Sequence, residues 1–152
     1  MSPGPDFPGS RTVLVVDDVR AVRRMTARLL SEAGYRVFEA AGASEALEVL
    51  ELAPGRVDVV LVDVVMPARS GTDLVRVIRQ RWPDQRIVFM SAHPAEVLAR
   101  EGVRDPALPF LPKPFSREEL LAVLRRARAG APRAATGTRS AAAPRTNPER
   151  EG

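Results

Sequence analysis

Short apolar runs alternate along the chain with amphipathic stretches, and few folds are compatible with this pattern. Strands are predicted over 12–16, 35–40, 57–62, 86–90 and 107–111, and the first, third and fourth of these segments read as apolar runs. Strands in a parallel sheet read as continuous apolar runs because helices cover both of its faces. The alternation therefore predicts an α/β domain in which five parallel strands are each followed by a helix.

The order of the strands follows from a proline. The fifth predicted strand contains Pro109, which has no backbone N–H to donate to a neighbouring strand and is therefore tolerated at a sheet edge. Strand order 2-1-3-4-5 puts the fifth strand at an edge. We therefore expect a doubly wound, flavodoxin-like sheet of this order, formed by residues 11–128.

The helices are expected between these strands. They are predicted over 20–33, from Ser44 to Pro54, over 71–82, over 94–100, and from Ser116 onwards. We expect the first helix to bury one apolar face, made by Val22, Met25, Leu29 and Leu30. Ser44 is expected to cap the second helix, and Ser116 with Glu119 has the spacing of a capping box at the start of the last one.

The two ends of the chain differ from this central part. Residues 1–10 hold three prolines and two glycines, and residues 129–152 are rich in small residues and proline without any periodicity. Both segments are expected to be disordered. From Arg125 to the end, seven arginines stand against Glu149 and Glu151, so the tail is basic. A short basic tail without aromatic residues is typical of a solvated linker, and we expect no direct binding to nucleic acid.

The composition excludes several classes of protein. The chain has no cysteine, which rules out disulfide scaffolds, thiolate zinc sites and cysteine nucleophiles. It has no secretory signal in 1–10 and no run approaching the roughly 18 apolar residues of a membrane span. A cytoplasmic protein is expected. The 24 residues of 129–152 are too few for a DNA-binding output domain, so output is expected through protein contacts.

Polar side chains follow four of the predicted strands at their carboxyl ends. Asp17 and Asp18 follow the first strand, Asp63 the third, Ser91 the fourth and Lys113 the fifth. In an open parallel sheet these ends share one edge, where ligands bind. Three carboxylates in one cleft would raise each other's pKa unless a cation lies among them, and Mg²⁺ prefers such oxygen ligands.

This set of groups suits phosphoryl transfer. An aspartate can act as the nucleophile, and a lysine and a hydroxyl can bind phosphoryl oxygens beside Mg²⁺. Lys113 carries particular weight because the chain has 23 basic residues and all the others, 22, are arginines. A compact ammonium differs in reach and geometry from a planar guanidinium, which indicates that this position requires lysine.

Four motifs in order resemble the bacterial response-regulator receiver family, which includes the chemotaxis regulator. They are VLVVDD at 13–18, DVVMPARSG at 63–71, MSA at 90–92 and LPKPF at 111–115. The resemblance covers residues 11–128. It implies that Asp63 is the phosphoacceptor. It also implies a Mg²⁺ site with Asp18 as a direct ligand, Asp17 acting mainly through water, and the backbone carbonyl of Val65.

The resemblance also implies a conformational switch. Ser91 would be the switch hydroxyl, and Phe110 the switch aromatic, which turns inward on activation. Lys113 would pair with the phosphoryl group, and its peptide bond to Pro114 would be cis. The chain departs from the family in having Ser where Thr is common and Phe where Tyr is frequent, so Phe110 can signal only through packing.

The function implied is that of a phosphoacceptor in a two-component phosphorelay, either as a single domain or as part of a hybrid kinase. A sensor histidine kinase or a histidine phosphotransfer protein would supply the phosphoryl group, and a downstream protein would read it. Such a domain is no enzyme beyond catalysing its own phosphorylation and dephosphorylation.

Two alternatives remain open from the residues. A phosphohydrolase of the haloacid-dehalogenase type also uses an aspartate nucleophile with Mg²⁺, but that family places a D-x-D pair after its first strand, and here Asp17 and Asp18 are adjacent. The other alternative is a receiver that serves as an unphosphorylated docking module. His93, the single histidine, is interpreted as a loop residue near the site and not as a phosphorelay histidine.

Overall fold

The computed structural model describes residues 11–53, 55–66, 71–92 and 109–129. Within them, five strands alternate with four helices. The elements are β1 (Thr12–Val16), α1 (Arg20–Glu32), β2 (Arg36–Ala40), α2 (Ala43–Leu52), β3 (Val59–Asp63), α3 (Gly71–Arg81), β4 (Arg86–Ser91), β5 (Phe110–Pro112) and α4 (Arg117–Ala129). The predicted helix over 94–100, residues 1–10 and the tail beyond Ala129 lie outside the described residues.

The five strands form one parallel sheet in the order β2-β1-β3-β4-β5, which confirms the prediction. β5 lies at an edge. Pro109 immediately precedes it, and its carbonyl accepts the N–H of Phe89 at 3.0 Å. The prediction placed Pro109 inside the fifth strand, whereas it lies just before the three residues that pair with β4 and contributes its carbonyl as an acceptor.

The core lies on both faces of the sheet, and β1 and β3 are therefore buried along their whole length. Leu14 and Val16 belong to one cluster of buried side chains, and Val13 and Val15 to the other. α2 and α3 close the first cluster, and α1 and α4 close the second, through Leu50, Leu74, Ile78, Leu30, Leu120 and Leu124. Alternate residues of each strand thus face opposite layers of helices, which is why these strands read as unbroken apolar runs.

The predicted buried face of α1 is partly wrong, since Met25 is 50% exposed. The buried residues of the helix are Thr26, Ala27 and Leu30. Met25 and Leu30 are five residues apart, which separates them by about 140° around a helix of 3.6 residues per turn. Thr26 can be buried in its place because its hydroxyl donates to the carbonyl of Val22 at 2.8 Å.

The helix starts show one wrong and one confirmed prediction. Ser44 does not cap α2, because the N-cap position is Gly42 and has no side-chain cap. Instead, the Glu45 carboxylate accepts the N–H of Ala41 at 2.7 Å. The capping box of α4 is present: Ser116 Oγ accepts the N–H of Glu119 at 3.0 Å, and Glu119 Oε1 accepts the N–H of Ser116 at 2.8 Å.

β3 begins two residues later than predicted, at Val59. Asp58, just before it, accepts the N–H of Thr12 through its carboxylate at 2.7 Å and donates its own N–H to the Thr12 carbonyl at 2.8 Å. This pair of hydrogen bonds joins the starts of β1 and β3. It fixes their register, and with it the relative position of the aspartates at their far ends.

Candidate functional site

The candidate site lies at the carboxyl edge of the sheet. Asp17 directly follows β1, and Asp63 is the last residue of β3. Ser91 ends β4, beside Asp63 through the pairing of Asp63 with Met90, and Lys113 directly follows β5. The sheet order reverses its winding direction at β1 and β3, where open α/β sheets have their binding crevice.

Three carboxylates meet at this edge. One oxygen from each of Asp17, Asp18 and Asp63 lies within 4.8 Å of the others. We call these three residues the acidic cluster. Asp17 and Asp63 are buried and Asp18 is exposed, so the cluster extends from the interior to solvent. A set of hard oxygen ligands at this spacing fits a hard divalent cation such as Mg²⁺.

Lys113 contacts both buried members of the cluster. Its Nζ lies 2.7 Å from Asp17 Oδ2 and 3.1 Å from Asp63 Oδ2. Its peptide bond to Pro114 is cis, as the resemblance implies, and its N–H donates to the Ser91 carbonyl at 2.8 Å. The lysine is thereby anchored to β4 while its ammonium reaches across the sheet edge to the two carboxylates.

Burial and neighbouring charges set the protonation states of Asp63 and Lys113. Burial raises the pKa of Asp63, although Lys113 opposes that shift. Burial alone would lower the pKa of Lys113, but the hydrogen bond to Asp17 and the charge of Asp63 outweigh it and the pKa is raised. Lys113 therefore stays protonated and supplies the positive charge that two buried carboxylates need.

Asp17 is held by its backbone as well as by its side chain. Its N–H donates to the Ala40 carbonyl at 3.1 Å, and its Oδ1 accepts the N–H of Val19 at 2.9 Å. Its own carbonyl accepts a hydrogen bond from Arg23 Nη1 at 2.9 Å. Nothing in the sequence distinguishes Arg23 from the other three arginines of α1, which are Arg20, Arg24 and Arg28.

Val65 and Ser91 lie at the same sheet edge as the acidic cluster, and Phe110 begins β5, three residues before Lys113. The N–H of Val65 donates to Asp63 Oδ1 at 3.1 Å, so the chain turns back toward the carboxylate directly after β3. Ser91 is buried at the end of β4. Phe110 is partly buried against the cluster of core residues that α2 and α3 cover. His93 lies outside the described residues.

Gly71 is a supporting residue that the sequence predicted only as the end of the motif over 63–71 and the start of a helix. It opens α3, and its N–H donates to the Val64 carbonyl at 2.7 Å. A Cβ atom at this position would lie 2.8 Å from Val64 Cα and closer still to the carbonyl oxygen of Asp63. The start of α3 therefore packs backbone against backbone behind Asp63, which only glycine allows.

Replacing Gly71 with Ala is expected to lower the free energy of unfolding by about 2 kcal/mol, because the backbone behind Asp63 must shift to make room. Urea denaturation measures this loss. Gly42→Ala is the matched control, since a Cβ there meets nothing within 4 Å and φ is −172°. Equal losses in the two variants would contradict the close approach at Gly71.

One family model and several known proteins match this chain. The model, described as the response regulator receiver domain, matches residues 13–125. The sensor kinase CckA of Brucella abortus (strain 2308) is 45% identical over 115 residues, 76% of this chain and 12% of CckA. The DNA-binding transcriptional regulator NtrC of Azospirillum brasilense is 38% identical over 116 residues, 76% of this chain and 24% of NtrC.

A solved structure agrees with these matches. The chemotaxis protein CheY4 of Vibrio cholerae superposes with a TM-score of 0.68 at 32% identity, covering 78% of this chain and 99% of CheY4. The chain thus spans nearly all of CheY4 and a small part of CckA and NtrC. Within the described ranges, no helix has the length and apolar character that crossing a membrane requires.

Proposed function

Because the chain belongs to the response regulator receiver domains of two-component systems, we propose that it takes a phosphoryl group on Asp63, with Mg²⁺ bound at the acidic cluster. The observation that carries this proposal is the convergence of three carboxylates and one ammonium at the carboxyl edge of the sheet. Receiver domains are signalling domains, which makes the haloacid-dehalogenase alternative the weaker one.

The contacts favour Asp63 over its neighbours as the phosphoacceptor. The side chain of Asp17 is 0% exposed, whereas that of Asp63 is 10% exposed, so a donor can reach Asp63 alone of the two. Asp18 is exposed, but Lys113 contacts the other two carboxylates and not this one. Asp63 is thus the carboxylate that a donor can reach and that also contacts the ammonium of Lys113.

In the proposed reaction a carboxylate oxygen of Asp63 forms a bond to the phosphorus of a phosphohistidine while the phosphorus–nitrogen bond breaks. The electron pair of that bond stays on the imidazole, which takes a proton from solvent. Lys113 stabilises the negative charge that remains on the phosphoryl oxygens. Hydrolysis reverses the modification, as water attacks phosphorus and the bond to Asp63 breaks with release of inorganic phosphate.

Asp17, Asp18 and the backbone carbonyl of Val65 are the groups that would hold Mg²⁺ together with Asp63. When bound, the ion neutralises charge on the phosphoryl oxygens. The Ser91 hydroxyl would donate to one of these oxygens, and Phe110 would respond by repacking. A sensor histidine kinase or a histidine phosphotransfer protein is the proposed donor, and a downstream protein the reader. A cytoplasmic location is part of this proposal.

Intact-mass measurement after incubation with acetyl phosphate and Mg²⁺ tests the proposal. A single phosphoryl group per chain, absent when EDTA replaces Mg²⁺, is the expected result. An unchanged mass under conditions that modify a known receiver would instead favour an unphosphorylated docking module. Continuous release of inorganic phosphate at a rate typical of phosphatases would favour the phosphohydrolase.

The switch is tested separately with beryllofluoride, which mimics the phosphoryl group. We expect NMR shift changes at Ser91, at Phe110 and along α4, because β5 connects the site to that helix. Changes confined to the immediate surroundings of Asp63 would contradict the proposed roles of Ser91 and Phe110.

A further inference from the structure

Arg23 connects three parts of the fold directly beside the acidic cluster. It lies on α1, its Nη1 donates to the carbonyl of Asp17 at 2.9 Å, and its Nε donates to Glu39 Oε1 on β2 at 3.1 Å. Its side chain is 14% exposed. Burying a guanidinium is unfavourable unless it is paired and hydrogen-bonded, and here both conditions are met.

The hydrogen bond to the Asp17 carbonyl has a consequence for Asp18. That carbonyl belongs to the peptide group that joins Asp17 to Asp18, and a peptide group is planar. Its orientation therefore fixes where the nitrogen and Cα of Asp18 lie, and the Asp18 side chain leaves the backbone from that Cα. Among the described residues, the contacts that hold this part of the chain are those of Asp17 and Arg23.

The neighbouring arginine does not share this arrangement. Arg24 Nε lies 3.5 Å from Glu39 Oε2, but its side chain is 60% exposed and it has no contact with Asp17. Arg23 and Arg24 thus carry the same charge and approach the same carboxylate. They differ because Arg23 donates a hydrogen bond to the turn between β1 and α1 and Arg24 does not.

We infer that Arg23 is a positioning residue: by holding the peptide group between Asp17 and Asp18, it sets the affinity of the acidic cluster for Mg²⁺. This inference rests on the proposed function. Residues that orient a ligand without touching the ion commonly change metal affinity by about 10- to 100-fold. Glu39 contributes by fixing the guanidinium and offsetting its charge, which on its own would disfavour a nearby cation.

An effect of Arg23 through its charge and an effect through its hydrogen bonds predict different affinities for Mg²⁺, which makes the inference testable. Arg23→Lys keeps the positive charge, but one ammonium cannot replace the two-sided contact of a guanidinium. We expect its dissociation constant for Mg²⁺ to rise about tenfold. Arg24→Lys, the matched control, should bind as the wild type does. If Arg23 acted through charge alone, Arg23→Lys would leave the affinity unchanged and Arg23→Gln would increase it, and this outcome would overturn the inference.

Titration of the full chain with MgCl₂, followed by amide NMR shifts, measures the affinity without any phosphorylation. Before Mg²⁺ is added, the amide signals of Asp17 and Asp18 should already move in Arg23→Lys and stay in place in Arg24→Lys. Should Arg23→Lys fail to fold, Glu39→Asp keeps the charge of the pair, shortens the carboxylate that fixes the guanidinium and should weaken binding in the same direction. A Glu39→Asp protein with unchanged affinity would then count against the inference.

The titration separates this inference from the proposed function. A wild-type chain without saturable Mg²⁺ binding would overturn both. Wild-type binding with equal affinity in Arg23→Lys would overturn the role of Arg23 alone and leave the proposed function standing.

Discussion

Replacing Asp63 with Asn is expected to abolish phosphoryl uptake from acetyl phosphate completely. An amide cannot act as the nucleophile that a carboxylate provides, although it has nearly the same shape. The substitution should not unfold the domain. Burial raises the pKa of Asp63, so the ionised carboxylate is less favourable in the folded than in the unfolded state, and a neutral side chain removes that penalty.

Two measurements separate lost chemistry from lost structure. Intact mass should show no phosphoryl group on the Asp63→Asn variant, and urea denaturation without Mg²⁺ should give a free energy of unfolding at least as large as that of the wild type. Asp84→Asn is the control, because Asp84 is exposed in the turn before β4. Phosphorylation of the Asp63→Asn variant to the wild-type level would assign the phosphoacceptor role to another residue.

Replacing Lys113 with Met is expected to lower the free energy of unfolding by about 3 kcal/mol at neutral pH without Mg²⁺, because it leaves Asp17 and Asp63 buried without a cation. The pKa of Lys113 is raised in the fold. Its charged form therefore stabilises the domain fully below the unfolded-state pKa, and this contribution is lost only as the pH rises through the folded-state value.

Mg²⁺ should recover part of this loss, since an ion that binds the folded state stabilises it by mass action. The cluster of the Lys113→Met variant should also bind Mg²⁺ more tightly than that of the wild type, because no ammonium competes for Asp17 and Asp63. Urea denaturation with and without MgCl₂ measures how much unfolding free energy Mg²⁺ restores in the variant and how much it adds in the wild type. Arg125→Met on the exposed side of α4 is the control and should change stability by less than about 0.5 kcal/mol. A loss in Lys113→Met that Mg²⁺ leaves undiminished would contradict the shared role of lysine and metal.

Much of the fold and of the site could be predicted because the decisive signals are local. The unbroken apolar runs of β1 and β3 reflect burial on both faces, and the prolines at and next to β5 are tolerated because that strand lies at an edge. Once the strands are parallel, their carboxyl ends must share one edge. The convergence of Asp17, Asp63 and Lys113 then follows from topology.

The features that could not be predicted depend on how the helices pack against the sheet. No local pattern in a single sequence reveals this packing. α1 carries four arginines within nine residues, and only the rotation of the helix against the sheet decides that Arg23 turns inward. The same rotation buries Thr26 and exposes Met25. Gly71 likewise looks like an ordinary helix start until α3 is placed against the backbone of Asp63.

The prolines around β5 also govern how this edge meets other molecules. Consecutive residues of a strand direct their N–H groups to opposite sides, and the N–H of Lys113 points inward to Ser91. The nitrogen of Pro112 therefore faces outward, where it has no hydrogen to offer, and Phe110 is the one residue of β5 with an outward N–H. A strand from another chain would find almost no backbone N–H donors along the outer edge of β5. The short, proline-flanked margin thus protects the sheet from growing by intermolecular strand addition.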